Sequence, residues 1–152
     1  ITKLKNKEYD AIVLSLAGVQ MLNLISEVKE VFTIEQMMPA VGQGAIALQC
    51  KKNDQKTLES LKAVNDNETY YCTLAERALL EAIGGDCDTA IGGLAKLVNN
   101  KISLKSELFS NDGKKKFESQ NLGHFREARE IGYKVGKELL KKAGPNFTTQ
   151  GS

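Results

Sequence analysis

The chain has 152 residues, 41% of them apolar and 26% charged, with a formal net charge of +2. That is the balance of a soluble globular protein, and the length suits one ordinary domain or one and a half small ones. So small a charge gives no argument for a nucleic acid or a membrane surface as partner, and no window approaches the roughly 20 apolar residues of a membrane span.

The opening, ITKLKNKEYD, has no Met and lacks the apolar centre of a signal peptide. A buried-looking run follows within about ten residues, so the chain reads as if cut from something longer. Residues 11–16, AIVLSL, are almost continuously apolar, as in a strand covered on both faces of a parallel sheet. Ala17 and Gly18 make a turn. Val19, Leu22, Ile25 and Val28 then recur at helical spacing. Strand, glycine turn and helix form the ordinary α/β unit, and free N–H groups at such a helix start can receive an anion.

Met37-Met38-Pro39 breaks the pattern before AVGQGAIALQC, residues 40–50. Gly42 and Gly44 flank Gln43, and residues 45–50 read as a strand. Such glycines allow unusual backbone angles or the close approach of another group. A plain bend between elements is the ordinary reading of the spacing alone. A helix is expected over 53–64, with Asn53 or Asp54 as cap and Leu58, Leu61 and Val64 on one face. A second helix is expected over 68–83, striped by Tyr71, Leu74, Ala75, Ala78, Leu79 and Ala82 and stopped by Gly84-Gly85.

Asp86-Cys87-Asp88 falls in the connection to a strand at 89–98. Asn99-Asn100 and Asn111-Asp112-Gly113 are turn signals, which place further strands at 101–110 and near 115–119. The run Lys114-Lys115-Lys116 suits a solvated turn. A last helix is expected over 123–143. Phe125, Ala128, Gly132, Val135 and Leu139 share its face, with Gly132 and Gly136 admitting a close neighbour, and Gly144-Pro145 end it. The coarse reading is an α/β fragment followed by a small α+β domain, whose three-stranded antiparallel sheet is packed by helices.

The three cysteines, Cys50, Cys72 and Cys87, have no framework spacing and fit a reducing compartment. With the single His124 they form no familiar metal-ligand pattern, and His124 suits a surface or capping role. Cys50 and Cys72 fall within expected elements and read as small apolar side chains. Cys87 lies in a glycine-marked loop where a thiol can be reached. Asp86, Asp88 and the negative helix end would raise its pKa, so it is not activated in the manner of a protease cysteine. No phosphate loop or Ser/His/Asp arrangement can be placed.

Four stretches together resemble porphobilinogen deaminase (hydroxymethylbilane synthase). They are Tyr9-Asp10-Ala11-Ile12-Val13-Leu14 with Ala17-Gly18-Val19; Pro39-Ala40-Val41-Gly42-Gln43-Gly44-Ala45; Glu76-Arg77-Ala78-Leu79; and Gly85 to Cys87 followed by Ile91-Gly92. The resemblance implies the C-terminal half of that enzyme. Residues 1–35 would be the last strand–helix unit of a periplasmic-binding-protein-like second domain, and 36–64 a crossing segment and strand of the first. Residues 65–145 would be the α+β third domain, and 146–152 a loose tail.

The family polymerises four porphobilinogens into hydroxymethylbilane, releasing ammonia at each step, on a dipyrromethane cofactor held by a thioether. The resemblance assigns that attachment to Cys87, places Gln43 and Gly18 at the cofactor, and puts Leu14, Ser15 and Gly18 at the substrate carboxylates. It implies no metal and a cytoplasmic enzyme, monomeric when complete. Its partners are porphobilinogen, the growing pyrrole chain and an N-terminal half that carries the catalytic aspartate. The fragment alone would then be inactive. Three positions depart from the family pattern. Asp86 replaces a small residue, Ala90 replaces a proline, and Met21 stands where an arginine binds substrate carboxylate. These departures motivate an alternative, a degenerate relative acting as a binding or structural module. A thiol sensor built on Cys87 is a third reading, against which the flanking aspartates argue.

Overall fold

The computed structural model describes residues 1–84, 89–144 and 147. They divide into two compact units, Ile1–Thr33 and Ile34–Ser152.

In the first unit, helix α1 (Thr2–Lys5) is a single turn, and helix α2 (Leu16–Met21) is followed by a 3-10 turn at Ile25–Glu27. The apolar spacing through Val28 suggested a longer helix, but Asn23 stops it. Asn23 takes a left-handed φ of 55°, its N–H donates to Gln20 O (2.9 Å), and the N–H of Leu24 donates to Val19 O (3.0 Å). This is the paired-bond ending that follows a left-handed residue, and asparagine is the usual substitute for glycine there. The strand expected at 11–16 is not formed. Residues 11–15 have no ladder, and Leu16 already belongs to α2. A strand of a parallel sheet needs neighbours from elsewhere in the chain, and none of the described strands pairs with it. A Lys5 Nζ–Glu27 Oε1 ion pair of 2.7 Å links the ends of the unit.

The second unit begins with an irregular stretch and helix α3 (Gln55–Lys62). Asp54 caps α3 as expected, accepting from the Thr57 N–H at 3.0 Å. The strand expected at 45–50 is also absent, and Ile46 there is 89% exposed. Helix α4 (Asn67–Ile83) is capped by Asp66, which accepts from the Thr69 N–H, and ends at Gly84 with φ 70°.

Strands β1 (Ile91–Val98), β2 (Lys101–Phe109) and β3 (Lys116–His124) form an antiparallel meander in the order β1-β2-β3. Asn99 and Asn100 both take positive φ in the two-residue turn between β1 and β2, the conformation whose twist suits a hairpin. β3 runs further than expected. Gly123 and His124 pair with Ile102 and Lys101, so the last helix begins later, as a 3-10 turn (Phe125–Glu127) leading into α5 (Ala128–Ala143). The His124 ring accepts from the Arg126 N–H through Nδ1 at 3.3 Å, a capping role.

Helices α4 and α5 cover one face of the sheet. Leu79, Ile83, Ala95, Ile102, Leu104, Leu108, Ile131, Val135 and Leu139 form the core. The two helices approach through Gly132 and Gly136. A Cβ on Gly132 would collide with the carbonyl oxygen of Ala75, and one on Gly136 would lie 2.7 Å from the Ala82 Cβ. The glycine spacing in the sequence anticipated this contact.

Candidate functional site

The connection between α4 and β1 carries Cys87. Residues 85–88 lie outside the described residues, so the expectation for Cys87 and its flanking aspartates rests on the flanks. Gly84 turns the chain out of α4 in the left-handed conformation that costs glycine little, and Thr89 is buried just before β1.

The other two cysteines are placed differently. Cys72, on α4, packs half-buried against the core and lies beside the N–H of Leu97. Burial, then the charges of Glu68 and Glu76, push its thiol pKa up, so it is a poor nucleophile. This fits the packing role read from the sequence. Cys50 is half-buried in a segment without regular structure, not in the strand expected there.

The segment carrying Gln43 is bound to the same two elements. Gly42 (φ 73°) and Gly44 (φ 86°) are both left-handed. An added Cβ on either would meet nothing within 4 Å. The glycines therefore serve backbone conformation, one of the two uses anticipated. The turn is closed by Gln43 N–H to Ala40 O (3.0 Å) and Ala45 N–H to Gly42 O (3.2 Å). It presents Gln43 on the surface. Upstream, the Gly93 N–H donates to Pro39 O at 2.9 Å. Gly92 and Gly93 lack the side chains that would strike Met38 and crowd Val41. The glycine pair on β1 is thus a seat for residues 38–41.

Glu76 completes the attachment. Among the described residues it is the one buried charged side chain, 6% exposed. Its Oε2 accepts from the Gly42 N–H at 2.8 Å and its Oε1 from the Ala95 N–H at 2.7 Å. Burial raises its pKa above the ordinary carboxylate value, opposed by the two backbone bonds. A buried carboxylate is tolerated where its oxygens are satisfied. β1 is an edge strand, and its outward N–H groups at Ile91, Gly93 and Ala95 are met by Thr89 O, Pro39 O and Glu76, while that of Leu97 lies beside Cys72. The spacing makes this work. Four residues of helix advance about 6.0 Å and two of strand about 6.6 Å, so Cys72 and Glu76 on α4 reach alternate residues of β1. Sequence reasoning quoted Glu76 within a motif but gave it no role. The available signal was a lone glutamate inside an apolar helix stripe.

Leu14, Ser15 and Gly18 belong to the first unit. Ser15 caps α2 with extended backbone and makes no side-chain bond to it. Its carbonyl accepts from the Val19 N–H at 3.1 Å. All three residues are exposed. A separate cavity of about 190 Å³ lies over the outer sheet face, lined in part by Met38, Leu94 and Lys105. None of the expected site residues lines it.

Two family descriptions match the chain in order: "Porphobilinogen deaminase, dipyromethane cofactor binding domain" over residues 1–59, and "Porphobilinogen deaminase, C-terminal domain" over residues 70–141. The chain belongs to the porphobilinogen deaminase family. Porphobilinogen deaminases of Coxiella burnetii strains RSA 493 / Nine Mile phase I and CbuG_Q212 are each 38% identical to it over 147 residues, covering 97% of this chain and 48% of theirs. The chain therefore spans about half the length of the curated relatives it matches. The match named for the cofactor contains Leu14, Ser15, Gly18 and Gln43. Cys87 falls in the C-terminal match. Among the described residues, no group of His, Cys, Asp and Glu could hold a metal, and no helix is long and apolar enough to cross a membrane.

Proposed function

We propose that this chain works as the C-terminal half of a porphobilinogen deaminase, a cytoplasmic transferase that joins four porphobilinogens into hydroxymethylbilane. The observation that carries the reading is the ordered match of two domains of one family along the chain. Each coupling forms a carbon–carbon bond between the aminomethyl carbon of one unit and a free pyrrole α-carbon of the next, with loss of ammonia.

The family's dipyrromethane, held by a thioether, supplies the primer on which the chain grows. The residues fit such a group. Cys72 and Cys50 are both half-buried, and the thiol of Cys72 is pushed up by burial, whereas Cys87 lies on the connection between α4 and β1. Cys87 would hold the primer. A low thiol pKa is not required of it, because the carbon it captures is a reactive methylene pyrrole. Gln43, projected by the two left-handed glycines, offers both a donor and an acceptor to the primer. Ser15 and Gly18, with the backbone at Leu14, would receive carboxylates at the start of α2. No acid–base catalyst is assigned to this chain, and the catalytic aspartate is expected in an N-terminal half.

The same reading sets the organisation. Residues 1–35 would complete a periplasmic-binding-like second domain, and 36–64 would cross to the first. Residues 65–145 form the third, 146–152 a tail, and the complete enzyme is a monomer. The apolar runs at 11–15 and 45–50, left without ladders here, support strands that find their neighbours in the other half. Denaturing mass spectrometry of the full-length protein should show a dipyrromethane adduct on the Cys87 peptide, and the isolated chain should not consume porphobilinogen. Turnover by the isolated chain would defeat the assignment of catalysis to the other half. An unmodified Cys87 in an active full-length enzyme would defeat the attachment. Met21, 84% exposed, offers no carboxylate partner where the family resemblance expects an arginine. If Met21→Arg in the full-length protein left porphobilinogen affinity unchanged, the alternative of a non-catalytic module would gain.

A further inference from the structure

Glu76 is a buried ionisable group that the proposed mechanism does not use, and it sits where two parts of the site meet. One oxygen completes the edge of β1 at Ala95, and the other holds Gly42 at the start of the turn that presents Gln43. The pair of bonds requires a carboxylate. Two backbone N–H donors converge on one side chain, so both of its terminal atoms must accept. Ionised glutamate has two acceptor oxygens, whereas glutamine has one and places an NH₂ against the second donor. The same α4 and β1 that frame Glu76 run directly into the connection carrying Cys87.

We propose that Glu76 is a positioning residue of the deaminase. It suspends the turn at residues 42–44 from the helix and strand that deliver the Cys87 loop, so that Gln43 keeps a fixed place relative to whatever is bound at Cys87. This rests on the deaminase reading above. Glu76 touches no substrate in this arrangement and acts through the backbone of Gly42. The other anchors, Gly93 N–H to Pro39 O and the packing of Val41 against the core, hold the segment as far as residue 41. Glu76 is what fixes its far end.

The test is Glu76→Gln in the full-length protein that carries this chain. The more deeply buried donor, at Ala95, should keep the single remaining oxygen, so the bond lost is the one to Gly42. Amide exchange at Gly42 should quicken at least tenfold while Ala95 and the central residues Leu104 and Leu108 stay within about threefold. With dipyrromethane still on Cys87 by intact mass, kcat for porphobilinogen should drop at least tenfold and KM should change less than twofold. Unchanged exchange at Gly42 in the folded variant overturns the clamp. Released Gly42 with unchanged kcat overturns the positioning role. If the variant does not fold, the native protein decides. The amide proton shifts of Gly42 and Ala95 should titrate together with one midpoint, and separate midpoints overturn the shared carboxylate. A native protein without turnover overturns the deaminase reading, and the exchange at Gly42 then decides the clamp by itself.

Discussion

The first unit and the α+β domain that follows it make opposite uses of apolar residues. Among the described residues of Ile1–Thr33 the buried side chain is Val19, while Val13 and Leu14 are 63% and 56% exposed. In the α+β domain, Leu79, Ile102, Leu104, Leu108, Val135 and Leu139 are fully enclosed. The difference lies in where the partners are in sequence. β1, β2 and β3 are joined by short turns, and α4 and α5 flank them. The apolar faces of α4, α5 and the sheet therefore cover one another within the stretch Asn67–Ala143. Residues 11–15 and 45–50 have the composition of covered strands, and no strand among the described residues pairs with them. Apolar pattern reports that a face needs covering and does not say by what.

Substitution should expose this contrast. Leu79→Ala in the enclosed core should cost about 2–5 kcal/mol, whereas Val13→Ala in the same chain should stay within about 0.5 kcal/mol. Urea unfolding of both variants compares the regions directly, and similar costs would mean that Val13 is covered after all. Gly132→Ala should cost about 3 kcal/mol by driving α5 off Ala75. The same measurement would show a smaller loss if the helices can part without strain.

The pH dependence of Glu76 sharpens the picture of the clamp. Burial raises its folded pKa, so the folded chain holds this proton to higher pH than the unfolded chain does. Its contribution to stability is then fully present below the unfolded carboxylate pKa and is lost as pH rises through the folded value. The stability of the native chain relative to Glu76→Gln should therefore fall as pH rises above the ordinary carboxylate range, read as urea midpoints on either side of it. A difference that grows with pH would show that the bonds from Gly42 and Ala95 outweigh burial.

Two smaller effects complete the series. Asn100→Gly should raise stability by about 0.5 kcal/mol, since Asn100 holds φ 62° in the hairpin turn and glycine adopts that region more readily. A lower melting temperature would show that the asparagine side chain supports the turn. Ile46→Lys should leave the melting temperature of this chain unchanged and lower that of the full-length protein. Equal behaviour in both would remove residues 45–50 from the proposed interface with another half.

The local signals were legible where one residue type is strongly preferred by one backbone state. Asp54 and Asp66 precede helices whose first N–H groups they receive, although only the first of these caps was read in advance. Gly84 ends α4, the paired asparagines turn the first hairpin, and Gly132 and Gly136 mark a close helix contact. Each follows from sterics or hydrogen bonding within a few residues, so sequence suffices. Asn23 shows the limit, because its left-handed cap cut short a helix that apolar spacing alone would have extended. The motif residues Gly42, Gln43, Gly44, Glu76 and Cys87 stood out through family resemblance, Gly42 and Gly44 also through the backbone angles that glycine permits, and Cys87 also through its glycine-marked loop. Their mutual arrangement did not follow from the sequence.

What the sequence determined by itself was the order of elements in the α+β domain, the face that each of its two helices buries and the candidate cysteine. Tertiary structure decided that Glu76, 34 residues from Gly42 and 19 from Ala95, should bind both. It also decided that Gly92 and Gly93 should serve as a seat for residues 38–41. Periodicity records only whether a side chain faces inward. A carboxylate that faces inward must find donors, and which donors reach it is fixed by the packing of α4 along the edge of β1.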